Sequence, residues 1–263
     1  MAITSPLEIS DCTLWLDSTD PTKVSYQQLD AGELALIGDW GDGSPKSNLR
    51  IFSSWTDKST SGVVISQTSW RRPRIAVNVA AMGGNPCIRF DGGGSLIIPG
   101  SLINYNSCSV FFVGLSENTT DNPLFPGGCF LDTESGIEQF GFYIRPDSTF
   151  AWKIGRGDGP GTILASTEAD QNAHIFGFQM LKGYGDISLD GNNVKLGVCS
   201  LDGDVDALSI GARSGAKFYQ EEKLEFLKGY IGEVIFYNRA INTVEKNDVL
   251  SYLQSKWSTP ALP

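Results

Sequence analysis

The chain has 263 residues, of which 41% are hydrophobic, and a formal net charge of −10. This acidity argues against nucleic acid or an anionic membrane as a partner, because both bind basic surfaces. Glycine is frequent, with 30 residues, and all-β sandwiches commonly reach this length as one domain. The composition therefore favours a single acidic globular domain.

The two ends of the chain differ from its centre. Residues 1–11 are polar and irregular and predict an N-terminal arm, followed by a domain at 12–257 and an extended tail at 258–263 with two prolines. The start lacks the basic and apolar regions of a signal peptide. No apolar run approaches the roughly 18 residues that a membrane helix needs.

Between these ends the chain alternates short strand-like runs with turn residues. The runs are 12–17, 50–55, 62–66, 86–90, 95–98, 108–115, 129–132, 140–144, 150–154, 174–180, 186–190, 194–196, 207–211 and 229–237. Looser loops separate some of them, at 38–48, 116–128, 155–172 and 212–227. Many short strands with a single convincing helix predict a sandwich.

The last strand and the helix after it carry the clearest pattern. In 229–237, alternation predicts one face with Tyr230, Val234 and Phe236 and the other with Ile231, Ile235 and Tyr237. Apolar residues on both faces indicate an inner strand.

The following helix should begin after Asn242, an N-cap that Glu245 completes as a capping box. Its apolar face comprises Val249, Leu250, Leu253 and Trp257. So short a helix must lie against the sheet.

These residues resemble the C-terminal signature of laminin-G-like domains of the concanavalin A-like lectin and glucanase superfamily. The signature is Gly-x-Ile-Gly-Glu-Val-x-x-Tyr-Asn-Arg-Ala at 229–240, followed by Tyr-Leu-x-x-Lys-Trp at 252–257. Further stretches follow in the family's order: 14–20, the Trp-Thr-Asp-Lys-Ser turn at 55–59, Arg72-Pro73, 87–92 and 189–192. The resemblance implies an all-β fold, a two-sheet antiparallel jelly-roll β-sandwich with one short C-terminal helix. It implies no single function.

The five cysteines are odd in number and have no metal-ligand spacing. They are Cys12, Cys87, Cys108, Cys129 and Cys199. Most lie in apolar strand-like runs, where a free cysteine packs as a small hydrophobe. We expect five reduced thiols and folding in a reducing compartment.

No stretch has a convincing catalytic pattern. Carboxylates that alternate along a strand can act as acid and nucleophile, but Asp132 to Glu138 lacks alternating apolar residues and predicts a solvated loop. His174, the single histidine, lies in a predicted strand without a nucleophile motif. The basic stretch 70–74 also predicts a solvated loop. We therefore expect no enzyme and no resident cofactor.

Calcium is the one metal that the sequence leaves open. Asp202, Asp204 and Asp206 have the spacing that opens an EF-hand loop, but Ala207 stands where glycine is needed and Arg213 where the closing glutamate should be. Laminin-G-like domains often bind calcium at a loop rim. The pairs Asp17 with Asp20 and Asp39 with Asp42 are further acidic positions.

Glycan binding would need an accessible aromatic ring beside polar groups. Trp40 is the best candidate because glycines, Asp39 and Asp42 flank it in a loop. Trp152, on an alternating strand, is the second candidate. A loop without a ligand is the alternative interpretation for Trp40. The other tryptophans occupy family-like positions and are expected in the core.

Two main classes of function follow from these observations, and a glycoside hydrolase is a third class that the sequence does not favour. The first is a non-enzymatic structural or attachment protein of a bacteriophage virion, because laminin-G-like domains with this opening and ending are familiar there. It would assemble in the host cytoplasm as a homo-oligomer, contact other virion proteins and bind host-surface glycan. The second is a carbohydrate-binding or adhesion module of a larger secreted bacterial protein, and would be extracellular.

Overall fold

The computed structural model describes residues 3–28, 50–67, 72–104, 107–117, 128–134, 140–144, 149–154, 163–198, 207–212 and 226–259. The strands in these ranges are β1 (Cys12–Asp17), β2 (Val24–Gln28), β3 (Arg50–Thr56), β4 (Val64–Ser66), β5 (Arg74–Val79), β6 (Asn85–Asp91), β7 (Leu96–Pro99), β8 (Ser107–Ser116), β9 (Gly128–Glu134), β10 (Phe140–Ile144), β11 (Thr149–Ile154), β12 (Ile163–Glu168), β13 (His174–Leu181), β14 (Tyr184–Leu189), β15 (Asn192–Val198), β16 (Ala207–Ile210) and β17 (Lys228–Tyr237). The α-helix in these ranges is α1 (Thr243–Trp257). Short 3₁₀ turns occur at Pro6–Glu8, Ala80–Met82 and Gly100–Leu102.

The strands form two antiparallel sheets. The larger sheet has the order β15-β14-β13-β8-β17-β6-β5-β3-β2, with β1 beside β17 and β4 beside β3. The smaller sheet has the order β12-β11-β10-β9-β16-β7. The predicted all-β sandwich with one short C-terminal helix is confirmed.

Strand β17 is the centre of the larger sheet, as its two apolar faces predict. It pairs with β8 along one edge, while β6 and β1 share its other edge. Every residue of β17 after Lys228 is buried.

The two faces of β17 contribute to two separate hydrophobic cores. The inter-sheet core, between the sheets, contains Ile231, Val234 and Phe236. The helix-side core, between the larger sheet and α1, contains Tyr230, Ile235 and Tyr237. The predicted faces of Tyr230 and Ile231 are therefore wrong. A register shift between Ile231 and Glu233 breaks the alternation at Gly232.

Phenylalanine rings fill much of the inter-sheet core. Phe112 of β8 stacks on Phe176 of β13 with ring centroids 4.7 Å apart. Phe142 of the smaller sheet approaches Phe112 edge-on at 5.0 Å. These geometries are the favourable ones for aromatic pairs, so the ring cluster fixes how the two sheets face each other.

Helix α1 begins where the sequence predicts. The Asn242 side chain accepts hydrogen bonds from the backbone N–H groups of Val244 and Glu245, and Glu245 accepts one from the Asn242 N–H. This confirms the capping box. The predicted apolar face is buried in the helix-side core, and it comprises Val249, Leu250, Leu253 and Trp257.

Residues 3–11 lie against the sandwich. Ile9 is buried in the helix-side core and Ile3 packs against it. The hydroxyl of Tyr237 donates a hydrogen bond to the Pro6 carbonyl. Arg239 donates to Asp11. The apolar positions at 3, 6 and 9 find partners that only the folded body supplies.

Three strands were absent from the sequence prediction: β2, β5 and β12. Arg74, expected in a solvated loop, begins β5 and is buried with both carboxylate oxygens of Asp91 as its partners. Strand β9 extends to Glu134, so the predicted solvated loop from Asp132 is also wrong. Within the described ranges, no helix is both long and apolar enough to cross a membrane.

Candidate functional site

The residues of the C-terminal signature form a buried polar network centred on Glu233. Its carboxylate is fully buried and accepts hydrogen bonds from the indole N–H groups of Trp15 and Trp257, the latter at 2.7 Å. The Tyr252 hydroxyl and the Lys256 ammonium also donate to it, at 2.9 and 2.8 Å. Burial raises the pKa of Glu233, against the opposing charge of Lys256.

Asp17 extends this network to the first strand. Lys256 lies 2.7 Å from one Asp17 carboxylate oxygen and Lys58 lies 2.9 Å from the other. Burial acts to raise the pKa of Asp17, but Lys256, with further bonds from Thr19 and Lys58, outweighs it and lowers this pKa. Lys58 also pairs with Asp20 at 3.2 Å. The Lys58 ammonium therefore lies between the two carboxylates of this acidic pair.

The Trp-Thr-Asp-Lys-Ser turn is also explained by structure. The buried Asp57 carboxylate accepts backbone N–H groups of Trp15 at 2.7 Å, Ser59 at 2.8 Å and Gly62 at 3.0 Å. The signature residues therefore join β1, β17, the 55–62 turn and α1. Their contacts hold these elements together.

A different polar group lies on the outer face of the smaller sheet, opposite the inter-sheet core. Ile97, Ser209, Asp132 and Gly141 are consecutive cross-strand neighbours there, on β7, β16, β9 and β10. Phe142, adjacent to Gly141, faces the inter-sheet core. Because side chains alternate along a strand, Gly141 belongs to the outer face.

Tyr143 is the central side chain of this face. Its hydroxyl donates a 2.6 Å hydrogen bond to Asp132, which is fully buried. The phenol lies over Gly141, where a Cβ atom would meet the Tyr143 ring and hydroxyl. Tyr143 itself is partly exposed, and Ile97 is 37% exposed. Glycine thus makes room for the phenol, and Asp132 orients its hydroxyl.

We define the outer-face site as Asp132, Gly141, Tyr143 and Ser209. Asp132 and Ser209 are buried, so the partly exposed Tyr143 is the residue of this site that a ligand can reach. Its hydroxyl can hydrogen-bond a polyhydroxylated ligand, and its ring offers an apolar face. Asp132 ends the predicted strand run 129–132 and also begins the predicted loop 132–138, so the sequence did not indicate this site. The contact between Asp132 and Tyr143 depends on the pairing of β9 with β10, which the sequence does not display.

Trp152 does not reach a surface. It is 1% exposed and packs in the inter-sheet core beside Phe150 and Phe176, at ring-centroid distances of 6.4 and 6.2 Å. The prediction that Trp152 contacts a glycan is therefore wrong. Its alternating strand is real, but its face is the one that points between the sheets.

The other predicted site residues lie outside the described residues. They are Trp40, Asp39 and Asp42 for a glycan, and Asp202, Asp204 and Asp206 for calcium. Within the described ranges, no group of three or more acidic, histidine or cysteine side chains is arranged to hold a metal ion.

Solved structures share this fold at low sequence identity. Trypanosoma rangeli sialidase is 13% identical with a TM-score of 0.57, and the match covers 94% of this chain and 33% of that one. The same enzyme with 2,3-difluorosialic acid, a covalent intermediate, is 16% identical with a TM-score of 0.55 over 77% and 31% of the two chains. The binding domain of botulinum neurotoxin DC in complex with SialylT is 10% identical with a TM-score of 0.53 over 93% and 52%.

These likenesses establish a lectin-like β-sandwich. The chain spans about a third of the sialidase chains and about half of the neurotoxin binding domain. No protein-family model and no curated protein matches the sequence. The laminin-G-like assignment therefore stays a prediction.

The prediction that the protein is not an enzyme is contradicted by the sialidases, which are enzymes and share the fold. That prediction was based on the lack of a familiar catalytic motif. Because this fold occurs within enzymes, and catalytic groups can come from segments distant in sequence, the lack of a local motif does not exclude catalysis.

Proposed function

We propose that this protein binds glycans through the outer-face site, as an attachment component of a bacteriophage virion. The Tyr143–Asp132 pair carries the glycan part of the proposal. In this pair the Tyr143 phenol is partly exposed, and the buried Asp132 carboxylate accepts the hydrogen bond of its hydroxyl.

The similar structures support a glycan as the ligand class. One neighbour is described in complex with sialic acid, and another, a toxin binding domain, in complex with SialylT. At 16% and 10% identity, these ligands belong to those proteins. For this chain they motivate the choice of sialylated glycans as the first probes.

Substitution of the phenol tests the site directly. Tyr143→Phe keeps the ring and removes the hydroxyl, so binding on a glycan array that includes sialylated glycans should weaken. A hydrogen bond between the phenol and a neutral sugar hydroxyl is worth about 0.5–1.5 kcal/mol, which corresponds to roughly two- to tenfold in Kd. Asp132→Asn should weaken binding to the same glycans.

The matched control is Tyr184→Phe, since Tyr184 is 61% exposed on the larger sheet. It should leave the glycan profile unchanged. Equal binding by the wild type, Tyr143→Phe and Asp132→Asn would remove the outer face from the proposal. Trp40→Ala, the variant at the predicted loop site, tells whether the 38–48 loop contributes as well.

The virion part of the proposal is supported by the sequence features and by the thiols. Cys12, Cys87, Cys108 and Cys129 are buried, and the free thiols of Cys12 and Cys87 suit folding in a reducing host cytoplasm. Multivalent display of a homo-oligomer would convert weak glycan contacts into avidity. Antibody labelling of purified particles tests the virion location, and size-exclusion light scattering of the isolated protein tests the homo-oligomer. A protein that is monomeric and absent from particles would contradict both proposals.

The alternative is a carbohydrate-binding or adhesion module of a larger secreted bacterial protein. It shares the glycan site and differs in where the protein is found. Recovery of the protein in the culture medium of a bacterium, joined to further domains, would favour this alternative over the virion proposal.

A further inference from the structure

The single histidine lies between two carboxylates. Nδ1 of His174 is 2.6 Å from Asp190 and Nε2 is 2.7 Å from Asp170. A neutral imidazole has only one N–H to donate, whereas both ring nitrogens of the imidazolium are donors. Since carboxylates accept hydrogen bonds, the geometry on both sides of the ring fits the charged form.

The three residues connect the two sheets. Asp170 belongs to the segment 169–173, which leads from β12 of the smaller sheet to β13 of the larger one. His174 is the first residue of β13. Asp190 lies in the turn between β14 and β15. The imidazolium therefore ties the crossover between the sheets to a neighbouring turn.

The two carboxylates are held with different firmness. Asp190 accepts the N–H of Ile175 with its side chain and donates its own N–H to the Ile175 carbonyl, both at 2.8 Å. Its side chain is only 9% exposed. The Asp170 side chain is 50% exposed and is otherwise bonded to Asn172, two residues away.

We propose that His174 is a pH-sensitive link between the 169–173 crossover and the β14–β15 turn. Its protonated ring holds the crossover against the turn, and loss of the proton releases Asp170. A neutral ring keeps its remaining N–H on the firmly held Asp190. Its other nitrogen becomes an acceptor that faces the Asp170 carboxylate, and Asp170 can turn into water.

Aromatic rings and the two carboxylates surround the imidazole. Phe150 of β11 and Phe176 of β13 approach His174 edge-on, at centroid distances of 5.3 and 6.2 Å. The cross-strand neighbour on β8 is Gly114. Among the described residues, Asp170 and Asp190 are the charged groups that contact the ring.

The pKa direction agrees with the geometry. Burial acts to lower the pKa of His174, but the hydrogen bonds and charges of Asp190 and Asp170 outweigh it and raise this pKa above its usual 6.5. A raised folded-state pKa means that the stabilisation is complete below the unfolded value. It is lost as the pH rises through the folded value.

Nuclear magnetic resonance of the ring nitrogens tests the first part of the proposal, because one histidine gives one unambiguous set of signals. Both nitrogens should be protonated at pH 6, and the ring should titrate above 6.5. Asp170→Asn should lower the titration midpoint while leaving the fold intact, since Asp170 is half exposed. A wild-type midpoint at or below 6.5 would overturn the proposal.

Hydrogen exchange followed by mass spectrometry tests the second part. After correction for the intrinsic pH dependence of exchange, peptides covering 169–173 should lose protection as the pH rises through the histidine midpoint. His174→Gln, which cannot titrate, should lack this step. If the ring titrates but protection at 169–173 does not change, the proposal that His174 controls the conformation of the crossover is wrong.

Asp170→Asn keeps the second part testable if His174→Gln does not fold. In that variant the pH-dependent loss of protection should be absent, because a side-chain amide can accept from the imidazolium and donate to the neutral ring. A step that stays at the wild-type pH would contradict the role of His174.

Discussion

The indole N–H of Trp257, the last residue of α1, donates a 2.7 Å hydrogen bond to Glu233, which lies within β17. Both side chains are fully buried. This bond explains why the signature has a glutamate inside an apolar strand and a tryptophan at the end of a helix. Together they fix the helix at one position on the sheet.

Glu233→Gln should strongly destabilise the fold. Trp15, Trp257, Tyr252 and Lys256 all direct donors at the carboxylate, so an amide N–H₂ would face another donor. Breaking such a buried charge pair costs about 3–5 kcal/mol. Urea unfolding followed by tryptophan fluorescence measures it.

The control for this substitution is Glu168→Gln at an exposed position of β12. Surface changes of this kind usually stay within about 0.5 kcal/mol. Equal losses for the two variants would show that Glu233 does not stabilise the contact between helix and sheet.

Gly232→Ala should also destabilise, through packing. A Cβ atom at Gly232 would lie 2.6 Å from the Trp257 ring. Overpacking in a closed core typically costs about 1–3 kcal/mol. Thermal unfolding should show a lower Tm for Gly232→Ala, whereas Gly93→Ala should change it little, because no atom lies within 4 Å of the added Cβ. An unchanged Tm for Gly232→Ala would contradict the tight fit.

The network at Asp17 predicts a contribution to stability that acid removes. Because the pKa of Asp17 is lowered in the folded state, its stabilisation is present above the unfolded value of about 3.9 and is lost as the pH falls through the folded value. The difference in unfolding free energy between wild type and Asp17→Asn should therefore be large at pH 7 and shrink below pH ~4.

Chemical denaturation at a series of pH values measures this difference. Asp248→Asn is the control, since Asp248 has no ion pair within the described residues. A difference for Asp17→Asn that stays constant from pH 7 to pH 3 would show that its charge contributes nothing.

The cysteines predict a thiol pattern. Burial raises the pKa of Cys12 to about 12 and also raises that of Cys87, and only the thiolate reacts readily. A thiol reagent at neutral pH should therefore label these two slowly in the native protein. In denaturant, all five cysteines of the sequence should react without prior reduction; a single reactive thiol would indicate two disulfides.

Local sequence patterns were sufficient where a structure depends on near neighbours. The capping box at Asn242 and Glu245, the apolar face of α1 and the inner position of β17 follow from spacing alone. Each depends on contacts within a few residues or on simple alternation, and a sequence displays both. The sandwich itself followed from many such strands and from the resemblance.

The remaining features required the tertiary structure, because their partners are far apart in sequence. Glu233 accepts a hydrogen bond from Trp15, which is 218 positions away in the sequence. The residues next to either one do not indicate this contact. The bulge at Gly232 exchanged the faces of Tyr230 and Ile231, since a one-residue shift reverses alternation. Because the residues after Asp132 are polar, the sequence predicted that the strand ends at Asp132, whereas β9 continues to Glu134. The burial of Asp132 and its bond to Tyr143 appear only when β9 and β10 pair. The sequence determined which residues can form strands and helices, and long-range pairing decided which polar groups meet.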